Sequence, residues 1–405
     1  GLHDDAAALQ ATAPNATQDV TKTLGMGVRH GIVSGDPGLL EPGSAGYGFD
    51  LVVAGAGPVS QSQKQSPSDI AAYDQAGYQR ARELIERLKW LRPTDGKLTL
   101  AQAQAIKEHL GEVTELGDAA VPAVREFLES MENFDYSQVT GGQLLDYPTL
   151  RLNLIDVLNQ IGSPEALDAM AKVLFMSSAP EEIGLMASSL ETHAPGTYRD
   201  DILTAASETL FQIQDGGLRG KGDPVPLFAV FQDYGDSSVM FDLEEVYPRW
   251  SNYAAAALAG LPDGEGRGVE ALMALLDHPD TGTSTLNAFP LLMLAQSSRR
   301  YPAAGDFLVD LASTGQLSKG TLTRIGSVLA GRETVLKTHP VNLGSDDPAR
   351  ARLTSPVKPL YFEFDVNAAE TWSVVEIEQR LALIDRLKAA HPDPSVAGVL
   401  EYPKN

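Results

Sequence analysis

The sequence predicts an all-α protein, an irregular α-solenoid of short helical hairpins with an extended Gly/Pro-rich N-terminal arm and minor β content. Three observations lead there. Residues 147–174, YPTLRLNLIDVLNQIGSPEALDAMAKVL, read as two amphipathic helices joined by a tight turn. Leu150, Leu154, Leu158 and Ile161 fall at helical spacing in the first helix, and Leu167, Met170, Val173 and Leu174 in the second. The pattern returns imperfectly at 110–128, LGEVTELGDAAVPAVREFL, and at 253–276, YAAAALAGLPDGEGRGVEALMALL. The 405 residues are 43% hydrophobic but only 7% aromatic, the balance of an Ala/Leu-rich helical chain. A two-helix unit of this size cannot bury its apolar face alone, so neighbours must stack and the ends need caps.

Taken in order, residues 1–66 are rich in Gly, Pro, Ser, Ala and Gln and hold no helical period. They read as an extended arm with turns and a short strand or two near 48–53. Ser66, Pro67, Ser68 and Asp69 suit a helix start, and a stripe of Ile70, Tyr73, Ala81, Leu84, Ile85, Leu88 and Leu91 carries that helix to Pro93. Thr99 caps a second helix reaching Leu116. Gly117 and Asp118 separate it from a third, 119–131, with Pro122 tolerated in the first turn. Gly141 and Gly142 mark a break. In the hairpin, Gly162 ends the first helix, Ser163 caps the second, Pro164 takes its first position and Glu165 suits its positive end.

Further helices are expected from Pro180, over 197–213, after Pro224, and from Tyr247-Pro248-Arg249-Trp250. GGLRGKG at 216–222 is the longest glycine-rich interruption. Leu261-Pro262-Asp263-Gly264 repeats the hairpin turn before the stripe Val269, Leu272, Met273, Leu275 and Leu276. Helices follow at 285–297, 302–312 and 322–329. Residues 336–371 are irregular, with a strand-like alternation at 361–366. Ser373 caps a last helix with stripe Ile377, Leu381, Ile384 and Leu387, ending at His391, and 395–405 reads as a loosely packed strap. The chain thus divides into an arm (1–66), a helical stack (67–335) and an irregular segment with a capping helix and tail (336–405).

The segment RLNLIDVLNQIGSPEALDAMAKVL resembles the bacterial HEAT-like repeats of the phycobilin-lyase type. Those pair an amphipathic helix, a small turn such as G-[SD]-P-E-A, and a second helix ending in leucine. The resemblance is clear over one unit and weaker over the two echoes. It implies a curved helical solenoid that binds other proteins, and does not imply lyase activity. Variable repeat lengths, GGLRGKG and 336–371 depart from the family pattern.

Composition narrows the function classes. The formal net charge of −23 opposes binding to nucleic acid and anionic membranes and favours cationic protein partners or plain solubility. No apolar run is long enough for a transmembrane helix. With no cysteine, disulfides, thiolate metal sites and cysteine nucleophiles are excluded. The lack of cysteine and the non-methionine start favour an exported protein, periplasmic or extracellular, with a cytoplasmic one as the alternative.

Candidate sites are few. Asp50-Leu51-Val52-Val53-Ala54-Gly55-Ala56-Gly57 echoes a dinucleotide fingerprint. Ser60 replaces its third glycine and QSQKQSPSD follows in place of a packing helix, so a turn after an edge strand is the simpler reading. Gly1, Leu2 and His3 could form a square-planar nitrogen site for Cu2+ or Ni2+ if Gly1 is the native terminus. Asp233, Asp236 and Asp242, with Glu244 and Glu245, offer oxygen ligands for Ca2+, without the ordered loop spacing of an EF-hand; a solvated loop is the alternative. The seven histidines have no zinc-site spacing, and His193, His278, His339 and His391 lie near helix ends or before proline, where a cationic residue suits the dipole. Arg299, Arg300 and Tyr301 form the strongest basic–aromatic patch, fit for an acidic partner segment or simply for a helix terminus. No catalytic constellation stands out, and no cofactor is expected. The reading is a non-catalytic protein–protein interaction scaffold or subunit of a larger assembly. The alternative is a metal- or ligand-binding accessory protein, or an enzyme, with its site in the solenoid groove or N-terminal segment.

Overall fold

The computed structural model describes residues 74–91, 93, 96–137, 139–217, 223–277, 288–331 and 372–404. Fifteen α-helices, with short 3-10 turns, account for most of the described residues, and no strand occurs among them. Their only β-like pairings are two single bridges, Lys97 with Thr140 and Asp135 with Thr149. The arm at 1–66, the strand-like stretches at 48–53 and 361–366, the Ser66–Asp69 helix start, most of GGLRGKG and the irregular segment 336–371 lie outside the described residues.

Local signals explain most helix ends. Helix α1 (Gln75–Trp90) starts where Asp74 Oδ1 accepts from the Ala76 N–H at 3.1 Å. Helix α2 (Leu100–Glu115) opens on a reciprocal capping box between Thr99 and Gln102. Helix α3 (Val121–Glu129) carries Pro122 in its first turn, after a 3-10 turn over Gly117–Ala119. Between α3 and the next helix, Gly141 and Gly142 meet other backbone. A Cβ would stand 2.1 Å from Leu98 O at the first and 1.9 Å from Tyr136 O at the second.

The hairpin forms as expected. Helix α4 (Leu150–Ile161) ends at Gly162, whose φ of 62° is left-handed. Helix α5 (Pro164–Leu174) begins with Ser163 Oγ accepting from the Ala166 N–H at 3.2 Å. One correction concerns α4. Leu152, Ile155 and Val157 lie off the expected stripe and are buried too, along with Arg151 and Asn153. The helix is enclosed on most sides, so that even two of its polar side chains are buried.

The remaining helices are α6 (Pro180–His193), α7 (Arg199–Gln214), α8 (Val225–Tyr234), α9 (Met240–Gly260), α10 (Arg267–Asp277), α11 (Ala288–Ser297), α12 (Pro302–Ser313), α13 (Lys319–Leu329), α14 (Val374–Ala390) and α15 (Pro394–Ala397). Residues 240–260 form two helical segments that meet at a kink at Trp250 (φ −127°, ψ 46°), with Pro248 just before it, so the helix start expected at Tyr247–Trp250 falls at their junction. Phe228 of α8 packs against Trp250 and Tyr253 across that kink, ring centres 6.1 and 5.7 Å away. Arg249 donates to Gln214 O at 2.7 Å, satisfying a terminal carbonyl of α7. The tail is not a loose strap: α15 and the 3-10 turn after it pack on α13 and α14, and Leu400 is fully buried.

Packing follows chain order. Every substantial contact between described helices joins helices one or two positions apart in this numbering: α1 with α2 and α3, α4 with α5 and α6, α9 with α10 and α11, α12 with α14. A single apolar core threads through them from Ala81 to Leu400. A buried polar link between Arg151 and Glu182 stands within it. Arg151 Nε and Nη2 donate to the Glu182 carboxylate at 2.7 and 2.9 Å, Arg151 Nη1 to Leu128 O at 2.5 Å, and Ser177 Oγ to Glu182 Oε2 at 2.7 Å. This ties the ends of α3 and α5 to α4 and α6. Among the described residues no helix is long and apolar enough to cross a membrane.

Candidate functional site

Helix α14 sets the geometry of the most distinctive surface. Its expected stripe is only half right. Ile384 and Leu387 are fully buried, but Ile377 and Leu381 are 42% and 37% exposed. The buried line runs instead through Glu376, Arg380, Leu383, Ile384 and Leu387, so a carboxylate and a guanidinium occupy core positions in the first turns. Val374, Val375, Ile377 and Leu381 face outward.

The inward charges meet the basic patch at the end of α11. Arg299 Nη1 sits 3.1 Å from Glu376 Oε2, and Arg380 Nη2 lies 4.0 Å from Glu376 Oε1. Arg380 Nη1 makes a long hydrogen bond, 3.4 Å, to Val328 O at the end of α13. Its guanidinium carbon stands 3.8 Å from the centre of the Trp372 ring. Burial lowers the Arg380 pKa; nearby Glu376 acts the other way, while Arg299 adds to the lowering.

Between the start of α12 and α14 lies a cavity of about 200 Å³. Arg299, Arg380 and Arg386 line it, with Ser298, Pro302 and Gly305 on one side and Gln379, Ala382 and Leu383 on the other. Arg386 Nη2 donates to Asp306 Oδ1 at 2.5 Å, joining the two helices at the rim.

The other two members of the predicted patch serve differently. Arg300 is exposed and lies over the Tyr301 ring, 5.3 Å from its centre. Tyr301 precedes α12, its ring fills the space beside Gly266, and its buried hydroxyl has no hydrogen-bond partner among the described residues. Arg380 and Arg386 escape sequence reasoning. They share α14 with the exposed apolar residues that suggest a different inward face, and only tertiary packing brings them to Arg299.

A second cleft, about 170 Å³, lies between α1 and α3 and is lined by Arg82, Glu86, Lys89, Glu126 and Phe127 among others. Its charges answer one another: Lys89 pairs with Glu86 at 2.8 Å and Glu132 at 2.9 Å, and Arg82 with Glu126 at 3.9 Å.

Among the described residues no three His, Asp or Glu side chains are grouped so as to hold a metal ion. Asp233 lies near the end of α8 and Asp242 in the first turn of α9. Asp236 Oδ1 accepts from the Ser238 N–H at 2.7 Å, capping a 3-10 turn, and bonds from Ser238 hold its carboxyl below the usual range. The Gly1-Leu2-His3 site and the Gly55/Gly57 turn lie outside the described residues. His193 and His391 stand at helix ends, as their flanking sequence predicts. No protein-family model matches the chain, and no curated protein matches it.

Proposed function

We propose that this chain is a non-catalytic protein–protein interaction scaffold, built as an irregular α-solenoid of HEAT-like hairpins and working as a subunit of a larger assembly. The observation that carries the reading is the packing order: each described helix leans on the next one or two and on no distant helix to a comparable extent. Stacks of this kind offer long surfaces rather than one enclosed pocket. The outward apolar side chains Val374, Ile377 and Leu381, at helical spacing on α14, give such a surface something to bind with. The net charge of −23 favours a partner with a cationic rim around that apolar contact.

Light scattering on the eluting native complex, combined with cross-linking mass spectrometry, tests the reading. It predicts a defined stoichiometric complex with cross-links on α14, lost in Ile377→Asp/Leu381→Asp. A strictly monomeric protein that forms no defined complex contradicts it. The second reading, a ligand-binding accessory protein, has the arginine-lined cavity in its favour.

A further inference from the structure

We propose that the cavity between α12 and α14 binds a small oxyanion, a phosphate or carboxylate group carried on a soluble molecule. This stands independently of the scaffold reading.

The charge balance at the cavity is positive. Among the described residues, Arg299, Arg380 and Arg386 line it, and no carboxylate does. Glu376 holds Arg299, and Asp306 holds Arg386. Glu376 reaches Arg380 only at 4.0 Å. Among the described residues, three guanidinium groups thus share two carboxylates. Helix α12 adds to this field. It is 12 residues long, it begins at Pro302 on the cavity wall, and Tyr301 supplies no side-chain cap to its first turn.

A second observation concerns how far the Arg380 charge is compensated. Arg380 is 4% exposed, and among the described residues its buried Nε has no hydrogen-bond partner, so its charge is only partly compensated beside the cavity. Buried polar groups are normally satisfied, and a buried guanidinium most of all. Stacking on Trp372 holds its plane in place without neutralising it. Arginine forks recognise phosphate and carboxylate with paired, charge-assisted hydrogen bonds.

The walls also leave room. Pro302, Gly305 and Ala382 are small. A Cβ added at Gly305 would stand 3.4 Å from Leu383 Cδ1, so it fits while narrowing the space. About 200 Å³ admits a single anionic group with a short stem. It is too small for a partner helix, roughly 10 Å across.

Isothermal titration of the full chain at constant ionic strength tests this, with inorganic phosphate in one arm, malonate in a second and chloride as control. One saturable site is expected for phosphate, malonate or both, and the two arms tell the phosphate source from the carboxylate source. Arg386→Gln and Arg299→Gln should each weaken binding about tenfold or more, the loss expected for one charge-assisted contact. Arg300→Gln, outside the cavity, should leave it unchanged. Gly305→Ala should weaken binding while its thermal midpoint holds or rises, because alanine favours the helix. Absence of saturable binding with both anions by the folded wild-type chain overturns the proposal. So does binding that survives Arg386→Gln, Arg299→Gln and Gly305→Ala alike.

Discussion

At the residue scale, Arg151 shows what a buried charge does in a helical stack. It is 3% exposed and spends both faces of its guanidinium on Glu182 and Leu128 O. Removing it leaves Glu182 buried without its cation. Arg151→Ala should therefore cost about 3–5 kcal/mol, while Arg151→Met with Glu182→Leu should recover most of it. Urea unfolding of both variants checks this. Glu181, beside that pair, is partly buried and behaves oppositely. Burial pushes its carboxyl up, and Asp223 and Glu182 add to the shift. A raised carboxyl contributes its stability below the unfolded value of about 4.3 and loses it as pH rises through the folded value. Glu181→Gln should accordingly raise stability at pH 7 and leave it nearly unchanged at pH 4, measured by urea midpoints at both. Neither role is legible in the sequence, where Arg151 and Glu181 look like ordinary surface residues of amphipathic helices.

At the element scale, legibility depends on how local the cause is. Thr99, Ser163 and Ser373 act as caps within three residues of their partners, and each does what its sequence position predicts. Gly162 is equally local. Its left-handed φ of 62°, and His193 Cε1 only 2.9 Å from where a Cβ would stand, mean that Gly162→Ala should destabilise by about 1–2 kcal/mol in thermal or urea unfolding. The kink in α9 is half legible: Tyr247–Trp250 marks a break, and the backbone breaks at Trp250, although Pro248 sits before that break rather than in the first turn after it. The inward face of α14 escapes it for a longer-range reason. Hydrophobicity favours Ile377 and Leu381, but the neighbours present Arg299 and Val328 O, which draw Glu376 and Arg380 inward. The two registers differ in outcome. Ile384→Ala should cost about 2–5 kcal/mol, whereas Ile377→Ala should stay within about 0.5 kcal/mol, by the same unfolding measurement.

At the scale of the whole molecule, the repeated apolar spacing announces an all-helical body, and the described residues form one. What the spacing does not carry is which helices become enclosed, as α4 does, or where charges converge, as at α12 and α14. Those follow from packing, in which a helix is defined by the neighbours on both sides. A solenoid of the kind proposed is quasi-one-dimensional, with stability shared between adjacent units rather than across all of them. Local damage should therefore stay local. Amide hydrogen exchange on the intact chain carrying Gly162→Ala tests this most directly. Faster exchange confined to α4, α5, α6 and their immediate neighbours, with α11 to α13 at wild-type rates, is the predicted result. An equal loss of protection across every described helix would contradict a stack of hairpins.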